Sequence, residues 1–70
     1  MYGTIIKIIA DRGFGFIRER GSTDRKELFF HLSELRDGLV FNEQLIARDV
    51  QYELKETFKG PQAANVKPLE

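Results

Sequence analysis

The chain is 70 residues long and 41% hydrophobic, which fits one small domain and offers no apolar run long enough to span a bilayer. Eleven Lys plus Arg balance eleven Asp plus Glu, so overall positive charge is not what would hold a polyanionic partner. With no Cys and a single His, disulfides, thiolate metal sites and histidine-based metal sites are excluded, and neither a structural metal nor a cofactor is expected.

Met1-Tyr2-Gly3-Thr4 lacks the charged, apolar and small-residue order of a secretory signal, which predicts a cytoplasmic protein with no membrane association. From Tyr2 to Ile9 the residues are β-branched and apolar around a lone Lys7, and Asp11-Arg12-Gly13 follows as a turn, so a first strand is predicted there. A second spans Gly13 to Arg20 and breaks at Gly21-Ser22-Thr23-Asp24. A third is Leu28 to Leu32, followed by one helical turn with Ser33 as its N-cap and Gly38 as its stop.

Asp49 to Leu54 alternates, with Val50, Tyr52 and Leu54 on one face and Gln51, Glu53 and Lys55 on the other, as a half-buried strand does. Lys59-Gly60-Pro61 turns the chain into a short last strand, Gln62 to Val66, which proline can begin but not interrupt. Five short strands and no long helix predict an all-β fold, a five-stranded antiparallel barrel that closes its own edges. The domain is expected over residues 1–68, with Leu69-Glu70 read as a vector-derived tail.

Alternation then sorts the aromatic residues. Phe14 and Phe16 share one face of the second strand, opposite Gly15 and Ile17; Phe29 and His31 share one face of the third, opposite Leu28, Phe30 and Leu32. Leu28, Phe30, Ile17, Val50, Leu54 and Val66 suffice for the core of a small barrel, so three phenyl rings and an imidazole are expected outside, as a platform. Unpaired bases stack on such rings for roughly 1 to 3 kcal/mol per base, which gives exposed aromatics a purpose. Gly13 and Gly15 leave room around the rings, and Arg12 and Lys7 are placed to contact phosphates.

Arg12-Gly13-Phe14-Gly15-Phe16-Ile17 resembles the first ribonucleoprotein motif of the cold-shock proteins, and Leu28-Phe29-Phe30-His31-Leu32 resembles the second. Gly60-Pro61-Gln62-Ala63-Ala64-Asn65-Val66 is similar to that family's closing strand, so the resemblance runs from about Gly3 to Val66. It implies a five-stranded oligonucleotide-binding barrel (OB-fold) that holds single-stranded RNA or DNA with little sequence preference, in the manner of an RNA chaperone. Carried over by position, Phe14, Phe16, Phe29 and His31 match stacking residues. Phe41 matches an aromatic in the long loop, Arg12 a basic contact, and Lys59 a basic residue in the last loop.

The chain also departs from the pattern. Lys7, Ile8 and Ile9 stand where the family places an aromatic pair and an asparagine, Leu32 replaces an aromatic, and Ala47 stands where a glycine precedes the fourth strand. Each missing ring forfeits about 1 kcal/mol or more of stacking, part of which the charge on Lys7 offsets.

Other readings are weaker. His31 has no Ser, Cys or acid at motif spacing to make it a general base, and no enzyme activity is expected. Gly13-Phe14-Gly15 lacks the third glycine and following helix of a dinucleotide fingerprint. Arg18, Arg20, Arg25 and Lys26 form a local basic excess in the second hairpin loop against Glu19 and Asp24. The leading expectation is a monomeric single-strand-binding module that uses Lys7, Arg12, Phe14, Phe16, Phe29, His31, Phe41 and Lys59. The alternative is a protein-interaction barrel that has lost most nucleic-acid affinity, for which an exposed patch at Ile6, Ile8 or Ile9 would speak.

Overall fold

The computed structural model describes residues 1–21 and 27–69. Arg25 and Lys26 of the basic loop, together with Asp24 and Glu70, lie outside the described residues. Among the described residues five strands form: β1 (Tyr2–Ile9), β2 (Phe14–Glu19), β3 (Glu27–His31), β4 (Asp49–Thr57) and β5 (Gly60–Pro68). They close into a barrel in the order β1-β2-β3-β5-β4.

The all-β prediction holds, but the sheet is not antiparallel throughout. β3 and β5 meet in parallel, at Phe29 and Gln62, while the other four neighbouring pairs are antiparallel. The reason is parity: five strands in a closed ring cannot alternate direction all the way round, so one neighbouring pair must run the same way.

The core is Ile5, Ile8, Ile17, Leu28, Phe30, Leu45, Val50, Tyr52, Ala63 and Val66. Five of the six core residues expected from alternation are there, and Leu54 is not: it is 47% exposed. β1 pairs with β4 only from Tyr2↔Gln51 to Thr4↔Asp49, so Leu54 lies past the last strand that could cover it. It lines a shallow depression with Met1, Leu28 and Pro61 instead.

Leu32 is likewise exposed rather than internal. β3 ends at His31 and Leu32 opens a 3-10 turn over Leu32–Glu34, so the alternation that would have turned it inward stops one residue earlier. The cap of that turn is His31, not Ser33: Ser33 N–H donates to His31 Nδ1 at 3.1 Å. A second 3-10 turn, Glu43–Leu45, is capped by Asn42 and buries Leu45 against the barrel.

Gly15 faces inward, not toward the outer rings. A Cβ at this position would lie 2.5 Å from the Lys7 carbonyl oxygen and 2.9 Å from the Phe30 ring, so the missing side chain lets β1 and Phe30 close on β2. Tyr52 is buried with its hydroxyl unpartnered among the described residues. Burial, and secondarily the charge on Glu19, push its pKa above the ordinary tyrosine value.

Ala47 takes a left-handed backbone, φ 76°, where the Cβ of any L-residue crowds the following carbonyl. Its amide nevertheless donates to the Ile5 carbonyl at 2.7 Å, which holds the loop to β1. Ala47→Gly keeps that bond and removes the crowding, so it raises the unfolding free energy by roughly 0.5 to 1 kcal/mol, net of glycine's larger entropy loss. Urea denaturation followed by circular dichroism measures this; a loss of stability would show the methyl to be favourably placed.

Candidate nucleic-acid interface

β2 and β3 build the site through their register. Phe14 pairs with His31 and Phe16 with Phe29, while Gly15, Ile17, Leu28 and Phe30 face the core. Alternation thus puts three phenyl rings on one outer surface. They touch one another: Phe14 and Phe29 are 5.1 Å apart between centroids and tilted 30°, while Phe16 lies 5.8 Å from Phe14 and 6.2 Å from Phe29, edge-on to both. Mutual contact leaves each ring half-buried.

His31 lies at the end of this row and is exposed. Its Nδ1 accepts the Ser33 N–H and is 2.9 Å from Ser33 Oγ. In the neutral ring the proton therefore sits on Nε2, and the imidazole is held in one orientation rather than left to rotate.

β1 extends the surface on the other side. Its register slips between Ile5 and Lys7, so that Lys7 stands beside Phe16, Ile8 beside Gly15 and Ile9 beside Phe14. This bulge turns Lys7 outward and Ile8 into the core. The isoleucine patch that would favour a protein partner is correspondingly reduced: Ile8 is internal, and Ile6 and Ile9 are half-buried.

Arg12 is exposed in the β1–β2 turn, which is tied by the Arg12 and Gly13 amides to the Ile9 carbonyl at 3.1 and 3.0 Å. Lys59 is exposed in the β4–β5 turn. The ion pairs among the described residues engage other cations: Arg20 with Asp49 at 2.6 Å, Arg18 with Glu27 at 3.8 Å and Arg36 with Glu34 at 3.8 Å. Hydrogen bonds from Thr4 and Arg20 hold Asp49 below its usual carboxylate pKa. Of the expected basic loop, Arg18 and Arg20 are thus paired, whereas Lys7, Arg12 and Lys59 have no carboxylate partner among the described residues.

Phe41 does not join the three-ring cluster. Its ring is half-buried and packs on the core edge-on to Phe30, 6.4 Å between centroids. One neighbour of the platform was missed by sequence reasoning: Gln62, paired with Phe29 through the parallel bridge; Ile9, singled out there with Ile6 and Ile8, pairs with Phe14. No local sequence signal marks Gln62, since its place beside Phe29 depends on barrel closure. Among the described residues there is no group of three or more His, Cys, Asp or Glu that could hold a metal. Nor, among the same residues, is any helix long and apolar enough to cross a membrane.

An aromatic cluster flanked by cations that have no carboxylate partner among the described residues, on a five-stranded barrel, is a surface suited to bases and phosphates. Residues 1–69 match the model of the 'Cold-shock' DNA-binding domain. The chain belongs to the cold-shock domain family. It is 40% identical over 68 residues to the cold shock protein CspA of Staphylococcus haemolyticus and to that of Staphylococcus aureus (strain USA300), covering 96% of each chain in both cases. The CspA of Staphylococcus saprophyticus is 38% identical over the same length. Among solved structures, the Drosophila Unr CSD456 superposes with a TM-score of 0.71 at 30% identity, over 99% of this chain and 26% of that one. The barrel of this cold-shock domain is therefore an OB-fold, in a family whose members bind nucleic acid.

Proposed function

We propose that this cold-shock domain binds single-stranded RNA or DNA with little sequence preference and acts, as a monomer in the cytoplasm, to keep transcripts unpaired. The observation that carries the reading is the cluster of Phe14, Phe16 and Phe29, three partly exposed rings in mutual contact on the outer side of β2 and β3. Every base has a flat π-face, so stacking on these rings tolerates any sequence. A duplex hides its base faces inside the stack, so the same surface selects unpaired strands. Binding them draws a hairpin toward its open form by mass action.

In this reading Phe14, Phe16, Phe29 and His31 stack bases, and Lys7, Arg12 and Lys59 neutralise phosphates. Phe41 offers only the part of its ring that Phe30 leaves uncovered. With a net charge of zero, the electrostatic part of binding comes from those few local cations and not from the field of the whole domain.

Fluorescence anisotropy of labelled pyrimidine-rich RNA and DNA single strands, with a duplex control, tests the proposal. Single strands bind and the duplex does not. Two or three phosphate contacts give a slope of log affinity against log salt of roughly −1.4 to −2.1. Absence of single-strand binding at low salt, by a sample that is folded, would overturn the proposal in favour of a protein-interaction barrel.

A further inference from the structure

Phe58 is the one large apolar side chain among the described residues that stands wholly in solvent, with a relative exposure of 111% against 44 to 66% for the other exposed ones. It forms the β4–β5 turn with Lys59, between the paired residues Thr57 and Gly60. Nothing in that turn asks for an aromatic. Gly60 takes the left-handed step, φ 107°. Thr57 Oγ1 donates to the Gly60 carbonyl at 2.7 Å and accepts the Lys59 N–H at 3.1 Å, which supplies the turn's side-chain hydrogen bonding. A phenyl ring there costs solubility and adds no packing.

The turn also has a definite place relative to the platform. Gln62 of β5 sits beside Phe29, and Phe58 is four residues before Gln62. At about 3.3 Å per residue along the strand and about 4.8 Å across, the Phe58 backbone lies roughly 10 to 14 Å from that of Phe29. Lys59 is adjacent and Lys55 pairs with Gln62, so two lysines flank this stretch; the nearby carboxylates are Glu56, which pairs with Pro61, and Glu27 on the platform face of β3, which Arg18 engages at 3.8 Å. A strand lying on Phe14, Phe16 and Phe29 and continuing past Gln62 reaches an aromatic face with cations on either side.

We infer that Phe58 is a further base-stacking residue, which takes an unpaired nucleobase at the β4–β5 turn and lengthens the single-strand path beyond the three-ring platform. This rests on the single-strand reading of the platform. The ligand is the same strand, so the added subsite matters only for oligonucleotides long enough to fill the platform and reach the turn.

The chain contains no Trp, so Phe58→Trp places the chain's one tryptophan, excited selectively over Tyr2 and Tyr52, at the proposed subsite. Wild type, Phe58→Ala, Phe58→Trp and Phe29→Ala are titrated with oligothymidylates of about 4 to 12 nucleotides, which spans the site sizes of one such barrel. Phe58→Ala weakens the longest members roughly 5- to 150-fold and leaves the shortest unchanged, whereas Phe29→Ala weakens all of them. Phe58→Trp retains wild-type affinity, and its emission is quenched by the long members only. If wild type and Phe29→Ala differ as the platform requires, yet Phe58→Ala matches wild type at every length and the tryptophan emission does not change, the inference is overturned and the platform stands. If folded wild type binds none of the series, the platform reading fails and the subsite with it.

Discussion

Phe30→Ala lowers the unfolding free energy by about 3 to 5 kcal/mol, the usual cost of emptying a fully buried phenyl site. Phe30 is 0% exposed and sits in the middle of the core cluster. On one side β2 closes over it at Gly15, where even a methyl carbon would come within 2.9 Å of the ring. On another, Phe41 packs edge-on against it at 6.4 Å. Removing the ring leaves a void that the sheet cannot collapse into without breaking its own ladder. A domain of this length is stable by roughly 4 to 10 kcal/mol, so the variant is at or near the edge of folding at room temperature. Thermal and urea denaturation measure this, and a change below about 1 kcal/mol would mean that the core is organised around another residue.

Phe14→Ala, Phe16→Ala and Phe29→Ala each weaken single-strand binding roughly 5- to 150-fold, as the loss of 1 to 3 kcal/mol of stacking requires. Phe29 and Phe30 are neighbours in sequence, and alternation gives their truncations opposite signatures: one costs affinity and the other costs the fold. The separation is incomplete, because the three platform rings cover one another at 5.1 to 6.2 Å. Each truncation therefore also removes ring-to-ring packing, of about 0.5 to 1.5 kcal/mol beyond area burial. For the same reason the losses do not add. A Phe14/Phe29 double-mutant cycle shows a coupling energy, since these two rings are the closest pair. Affinities are compared at a temperature where denaturation curves show every variant folded. Variants that bind as wild type does while folded would remove the platform from the site.

How far the site was legible in the sequence follows from the range of the interactions involved. Phe14 and Phe16 against Gly15 and Ile17, and Phe29 and His31 against Phe30, were separable because side chains two apart on a strand must share a face. β1 was recognisable from its β-branched run for the same local reason, and the motifs in β2, β3 and β5 pointed to a family whose model matches residues 1–69. Local periodicity failed where a strand ran past its partner or stopped early. Leu54 keeps its place in the alternation of β4 but lies beyond the end of β1, and Leu32 falls one residue after β3 ends.

What the sequence by itself determined is therefore the inventory of strands, the identity of the three-ring platform and most of the core, because each depends on a period of two read over a few residues. Only the tertiary structure decided the remainder. The parallel contact of Phe29 with Gln62, the bulge that turns Lys7 out and Ile8 in, the docking of Phe41 on Phe30 and the isolation of Phe58 at a hairpin tip all depend on which strands become neighbours when the barrel closes. Closure is a property of the whole ring, set by a shared core, and no short window of residues encodes it.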